Sequence, residues 1–167
     1  MTTTTYTARP IAPTALRELR ATDDAGRPAA PFTDPEGGAP LRCCLRPSTP
    51  GERLALVAYA PLRRWAAETG AAPGAYDEQG PVFIHAEDCG GPDGGALPFT
   101  DSHRTLRRYS ADGHILGGRP VDGTAAAFPH ALTKAFDDPA VALVHVRAVE
   151  YGCFLYEVRR APAKDRD

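Results

Sequence analysis

Short apolar runs bounded by glycine and proline dominate the pattern of the chain. Leu54–Tyr59, for example, is a continuous apolar run between Pro50-Gly51 and Pro61. Runs of about four to eight residues with such boundaries are typical of β-strands. The same criteria predict strands at Tyr6–Ile11, Leu54–Tyr59, Pro81–Glu87, Thr105–Ser110, His114–Leu116, Val141–Val149 and Gly152–Arg159.

Helical periodicity is clearest at Gly123–Phe136, where apolar residues recur about every three to four positions. Pro129 fits the first turn of a helix that begins late in this segment. Asp137-Asp138-Pro139 is expected to end that helix. Shorter helical turns are predicted at Thr14–Arg20 and Arg63–Thr69.

Turn signals connect these elements. Ala111-Asp112-Gly113 separates two strand-like runs and predicts a tight hairpin, because glycine adopts positive φ at low cost. Residues 21–40 and Gly90–Pro98 are predicted to be loops. The order of strands, hairpin, helix and final hairpin favours an α+β fold. We therefore predict a single domain over residues 1–167, with a mostly antiparallel sheet, one main helix, short helical turns and a loop-rich segment at 1–40.

Composition narrows the class of protein. The chain has 167 residues, with 16 glycines and 17 prolines, and 43% of its residues are hydrophobic. That fraction is too high for a disordered chain, and the many turn formers argue against a long helical bundle. The net charge is −2 and no basic stripe is visible, so we expect no nucleic-acid partner. No apolar run of about 18 residues is present, so we expect no membrane span.

The N-terminal residues and the cysteines together favour one cellular compartment. Met1–Thr7 is a threonine tract without the basic and apolar segments of a secretory signal. The four cysteines are Cys43, Cys44, Cys89 and Cys153. Without an export signal, we expect reduced thiols and a cytoplasmic protein.

Two apolar strands each carry a histidine and a charged residue on one face. Alternation along a strand places His85 and Glu87 together, and it places His145 and Arg147 together. Polar groups on apolar strands are costly to bury unless they pair with each other or with a ligand. The hypothesis is that these two strands are neighbours and that the four side chains meet.

This convergence predicts acid–base chemistry. His85 and His145 are the candidate catalytic groups, and Glu87 would orient a histidine. Arg147, together with Arg42 or Arg108, would hold an anionic substrate, because guanidinium matches a carboxylate. An ion pair of Arg147 with Glu87 or Glu150 is the alternative. Cys44 is a further candidate beside the substrate, either as an activated thiol or as a core residue.

A metal site is the second interpretation of the same strand. His85, Glu87 and Cys89 alternate, and imidazole, carboxylate and thiolate all ligate transition metals. The spacing matches no familiar zinc pattern. The leading expectation is therefore a site without a cofactor, with these three residues as ligands if a metal binds.

Several segments together resemble a bacterial family catalogued as domain of unknown function 1203. They include Arg42-Cys43-Cys44-Leu45-Arg46, Gly80–Glu87, Val144–Arg147 and Gly152-Cys153-Phe154. The family commonly carries Pro-Cys-Arg-x-Cys-Leu, whereas this chain has Leu41 at the first cysteine. It often has a further cysteine where this chain has Tyr156. The resemblance implies a single domain and no particular activity, and both departures argue against a multi-cysteine metal site.

Three classes of function follow. The first is a small lyase, isomerase or cyclase that acts on a small anionic metabolite, in secondary metabolism, without a cofactor. The second is a non-catalytic module that binds a metal or a small ligand. The third is an interaction protein whose polar faces form a homodimer. In each of the first two, residues 88–100 are predicted to form a flexible rim over the site.

Overall fold

The computed structural model describes residues 6–161, so most of the Met1–Thr7 tract lies outside the described residues. Within this span the chain forms β-strands, three α-helices and a 3-10 turn at Gly74–Tyr76. The strands are β1 (Tyr6–Arg9), β2 (Phe32–Thr33), β3 (Pro40–Leu41), β4 (Arg46–Pro47), β5 (Arg53–Tyr59), β6 (Gly80–His85), β7 (Arg104–Tyr109), β8 (Ile115–Val121), β9 (Leu143–Ala148) and β10 (Phe154–Arg160). The helices are α1 (Pro13–Ala21), α2 (Pro61–Thr69) and α3 (Ala127–Asp137).

The strands form two five-stranded sheets. Sheet I has the order β1-β10-β9-β7-β8 and is antiparallel throughout. Sheet II has the order β2-β5-β6-β3-β4, and in it β3 runs parallel to β6. The protein is a single α+β domain with mostly antiparallel pairing, as predicted, but it has two sheets rather than one. Strands β2, β3 and β4 have two residues each, too few for a periodic pattern to reveal the second sheet.

Helices cover both sheets. The apolar side of α3, including Phe128 and Leu132, packs on Val144 and Val146 of sheet I. Leu62 and Trp65 of α2 pack on the opposite face of the same sheet. Helix α1 packs on sheet II through Leu16 and Leu19. Strand β9 is therefore buried on both faces, which explains why its sequence is almost continuously apolar.

The predictions for individual elements are confirmed where a turn sequence or a helical periodicity marks the end of the element. The Asp112-Gly113 hairpin joins β7 and β8, and Gly113 has φ +85°. The main helix begins at Ala127, which places Pro129 in its first turn. Strands β9 and β10 form the predicted final hairpin. Within residues 6–161, no helix has both the length and the hydropathy required to cross a membrane.

Candidate metal centre

Four side chains with metal-ligating atoms lie together at one end of sheet II. Cys43, Cys44, His85 and Cys89 each offer one ligand atom, and these atoms all lie within 4.8 Å of one another. We call this group the Cys–His cluster. Cys43, Cys44 and His85 are buried, and Cys89 is half-buried.

Strand pairing brings the first members together. Leu41 of β3 is in register with Phe83 of β6, and the two strands are parallel. Two residues further along the chain from this pair, Cys43 lies beside His85, just past the end of β3. The backbone N–H of Arg42 donates to the carbonyl of Phe83 at 3.0 Å, and the N–H of His85 reaches Cys43 Sγ at 3.2 Å.

A tight turn places both cysteines on one side. Adjacent residues in a strand point to opposite faces, but here the chain turns directly after β3. The N–H of Leu45 donates to the carbonyl of Leu41 at 3.0 Å, and Leu45 has φ +58°, a left-handed conformation that is costly for leucine. As a result Cys43 Sγ and Cys44 Sγ lie 4.0 Å apart, both near the His85 ring.

The segment after β6 returns Cys89 to the cluster. Arg20 of α1 holds this segment from outside, since its guanidinium donates to the carbonyls of His85 and Glu87 at 3.1 and 2.9 Å. Gly90 and Gly91 then take positive φ values of 77° and 84° and turn the chain away. Cys89 therefore sits at a fixed bend between a strand and a glycine-rich loop.

The two nitrogens of His85 have different neighbours. Nδ1 faces the sulfurs of Cys43 and Cys44 at 3.4 and 3.7 Å. Nε2 lies 3.0 Å from Oε1 of Glu52. The Nε2–H tautomer fits this arrangement, because it donates to the carboxylate and leaves the Nδ1 lone pair directed at the sulfurs.

Glu52 is itself firmly held. Arg46 donates to its two carboxylate oxygens at 3.1 and 2.6 Å, and the N–H of Thr49 donates at 2.8 Å. The hydrogen bonds from Arg46 and Thr49 hold the pKa of Glu52 well below its usual range. Glu52 is therefore an anion that keeps the His85 ring in one orientation.

The pKa values of the three thiols are shifted in different directions. The hydrogen bond between Cys43 and Cys44 raises the pKa of Cys43, and burial raises it further. The same hydrogen bond lowers the pKa of Cys44. Burial raises the pKa of Cys89. The pKa of Cys44 is therefore the lowest of the three.

An open cleft of about 430 Å³ reaches the cluster. Cys44, Arg46 and Cys89 lie at its base, and residues 91–96 form much of its wall. The glycine-rich segment thus lies where a rim was predicted, beside Cys44 and Cys89. Its flexibility stays a prediction.

Contrary to the prediction, Glu87 does not contact His85. Strand β6 ends at His85, so the alternation that aligned the two residues stops before Glu87. The Glu87 side chain is exposed and forms an ion pair with Arg53 at 3.3 Å. Glu52, from the turn before β5, occupies the position beside the imidazole instead.

The two predicted polar faces do not meet. His85 lies in sheet II, whereas His145 lies in sheet I. His145 is fully buried between the rings of Tyr109 and Phe154, with centroid distances of 4.7 and 4.9 Å. Both of its nitrogens lack a hydrogen-bond partner among the described residues. The expectation that β6 and β9 are neighbours was wrong, because β3 and β5 flank β6 on its two sides.

The predicted arginines lie in three different places. Arg147 donates through Nε to the carbonyl of Gly152 at 2.9 Å and approaches Glu78, neither Glu87 nor Glu150. Arg42 is buried and donates to the backbone carbonyls of Phe154 and Pro40, so it links β10 to β3. Arg108 lies across Gly117 in a separate cleft of sheet I.

The environment of His145 leads to a pH prediction. Burial lowers the pKa of His145 well below its ordinary value, and the charges of Arg147, Arg107 and Arg159 lower it further. Below about pH 6.5 the unfolded chain takes up a proton that the folded chain refuses. As the pH is lowered from about 6.5 to 5, we expect His145 to reduce the free energy of unfolding by up to about 1.4 kcal/mol per pH unit. Urea unfolding of wild type and His145→Phe over this range should reveal the difference in slope.

Other ionisable groups near His145 also affect the pH dependence of stability, so the measurement needs a control. Glu157 lies 3.9 Å from His145, and burial raises its pKa, so it contributes a slope of opposite sign in both proteins. Tyr109 packs against the His145 ring, and burial raises its pKa. His130 is exposed on α3, so His130→Phe is the matched surface control. Equal slopes for wild type and His145→Phe would contradict the prediction.

Sequence reasoning missed two members of this site, and it placed Cys44 beside a substrate rather than among the metal ligands. Cys43 was not among the candidate ligands, and Glu52 was not identified as the partner of His85. The parallel pairing of β3 with β6 is the signal for Cys43, but β3 is too short to be recognised from its pattern. Glu52 lies in a turn, where nothing in the local pattern marks it.

Comparison with known proteins identifies one family whose model matches the chain. A family model described as "Protein of unknown function (DUF1203)" matches residues 38–160, a span that contains the whole Cys–His cluster, Glu52 and His145. No curated protein and no solved structure matches the chain. Because the matched span covers well over half of the sequence, the chain belongs to the DUF1203 family, as the resemblance implied.

Proposed function

We propose that this protein is a metal-binding module and that the Cys–His cluster is a mononuclear zinc centre. One observation carries the proposal: the spacing of the donor atoms. A tetrahedral zinc site has edges of about 3.8 Å between sulfurs and about 3.6 Å between sulfur and nitrogen. The cluster has 4.0 Å between the sulfurs of Cys43 and Cys44, and 3.4 and 3.7 Å from them to His85 Nδ1.

The chemistry of the donors supports zinc. Three thiolates and one imidazole form one of the usual ligand sets of structural zinc sites. Histidine ligands of zinc commonly donate their other ring N–H to a carboxylate, which fixes the tautomer. Glu52 accepts such a bond from His85 at 3.0 Å. Arg46, which pairs with Glu52, also offsets the negative charge of a site with three thiolates.

The same geometry favours the binding module over the acid–base enzyme. The enzyme hypothesis depends on a common site for His85 and His145, which lie in separate sheets. Glu87, its third member, is paired with Arg53 at the surface. A set of four protein ligands needs no substrate to complete it, so the zinc is expected to join β3, β6 and the start of the glycine loop.

Metal analysis of the purified full chain tests the proposal. We expect about one zinc per chain in the wild type, and loss of that zinc in His85→Ala and Cys89→Ala. Cobalt substitution should give the intense visible absorption of a tetrahedral thiolate site. Cys153→Ala is the matched control, since Cys153 lies outside the cluster and should keep full zinc. Zinc below about 0.1 per chain, with none taken up on titration, would overturn the proposal, and stoichiometric iron or copper would overturn the assignment to zinc.

A further inference from the structure

A second cleft is lined by residues of both sheets, and the proposed zinc centre makes no use of it. The cleft has a volume of about 170 Å³ and is lined by aromatic side chains together with His145 and Arg147. We call it the His145 cleft. The aromatic residues that matter here are Tyr59, Tyr76, Tyr109 and Phe154. Its volume is below the range of about 300–1,000 Å³ typical of drug-sized ligands, so its ligand is small.

His145 is a buried polar group without a partner in this cleft. It is fully buried, and neither ring nitrogen has a hydrogen-bond partner among residues 6–161. Glu157 is the nearest carboxylate, and its oxygen is 3.9 Å from Nε2, which is too far for a hydrogen bond. Buried polar groups are usually satisfied, and an exception calls for a bound water or ligand.

Arg147 supplies unbalanced positive charge. Its guanidinium approaches Glu78 only to 3.6 Å, and Arg107 already holds that carboxylate at 2.7 Å. Two guanidinium groups thus share one carboxylate, and the neutral His145 adds no charge. The Arg147 side chain is only 14% exposed, so water compensates its charge poorly.

We propose that the His145 cleft binds a small organic carboxylate. The anionic end lies against the guanidinium of Arg147, which matches a carboxylate in shape and charge. The apolar part of the ligand lies among the aromatic side chains of the wall. His145 closes the buried end of the cleft as a neutral polar group. This site is independent of the zinc centre, because the two share none of their residues.

NMR titration of the full chain tests this proposal. The probes are acetate, butanoate and benzoate, each compared with its neutral amide at pH 7.5. We expect saturable binding of at least one carboxylate with a dissociation constant in the millimolar range or below, and at least tenfold weaker binding of its amide. The ¹⁵N signals of the His145 ring should follow the same saturation curve, whereas those of exposed His130 should not move.

Variants locate the bound carboxylate. Arg147→Met should weaken binding at least tenfold, and Arg147→Lys, which keeps the charge but loses the planar fork, should weaken it less. Arg108→Met is the matched control, because Arg108 lies in a different cleft. Circular dichroism checks that each variant is folded, and Arg147→Lys keeps the test valid if Arg147→Met does not fold.

Three results would overturn the proposal. The first is that no member of the series binds saturably, which would leave a buried water as the partner of His145. The second is binding that leaves the His145 signals unmoved, and the third is equal binding by wild type and both Arg147 variants. Zinc content, measured on the same samples, does not affect any of these outcomes, so failure here is distinct from failure of the metal centre.

Discussion

Cys43→Ser is expected to eliminate stoichiometric zinc binding and to lower the melting temperature by about 10 °C. Metal that binds only the folded chain stabilises it by about 4 kcal/mol at about 1,000 times the dissociation constant. For a domain of this size, each kcal/mol corresponds to about 2–4 °C. Cys43 is the most buried of the three thiols, so serine there removes a ligand that solvent cannot replace. Thermal unfolding followed by circular dichroism, with parallel metal analysis, measures both effects.

Chelation separates the loss of metal from the cost of the substitution. Serine also places a hydroxyl in the core, which destabilises the fold on its own account. Wild type should therefore lose melting temperature on treatment with a strong chelator, whereas Cys43→Ser should show no further change. Cys153→Ser, outside the cluster, should respond to chelator as wild type does. A wild-type melting temperature that chelator does not alter would contradict a stabilising zinc centre.

Glu52→Gln is expected to weaken zinc binding by about 10- to 100-fold while preserving one zinc per chain. Glutamine keeps the size of the side chain and an oxygen for His85, but it removes the charge that Arg46 holds in place. The imidazole then becomes a weaker donor, and its orientation is less firmly fixed. Competition with a chromophoric chelator measures the affinity.

Glu87→Gln is the matched control for this substitution. Glu87 is the carboxylate that alternation along the strand assigns to His85, but in the structure it pairs with Arg53 at the surface. Its removal should leave the zinc affinity unchanged. Equal weakening by both substitutions would mean that general negative charge, rather than the contact with His85, sets the affinity.

The strands and the hairpin of this fold were predictable where glycine, proline or an Asp-Gly pair marks their ends. Glycine and proline bound the runs that become β5 and β6, and Asp112-Gly113 marks its hairpin. The strand that carries His145 was also predictable from its apolar residues. These features depend on residues close together in sequence, and the local pattern is sufficient for them.

The Cys–His cluster depends on strand pairings that the local sequence pattern does not contain. Strand β3 has two residues, and its parallel partner lies about forty positions away. Alternation predicts that Cys43 and Cys44 point apart, but the turn at residues 42–45 places both on one side. The sequence suggested His85 and Cys89 as possible ligands because they lie on one segment, whereas Cys43 and Cys44 follow β3, which is distant in sequence.

The weak edge of sheet II has a consequence for the proposed zinc centre. Cys43 and Cys44 lie between β3 and β4, which have two residues each and share only two paired positions. Short edge strands open locally at much lower free energy than the core, and their amide protons exchange rapidly. The turn at residues 42–45 can therefore open and close while α3 and sheet I remain intact. For the proposed zinc centre, loading would then need no global unfolding, and we expect the folded protein to equilibrate with the zinc in its surroundings.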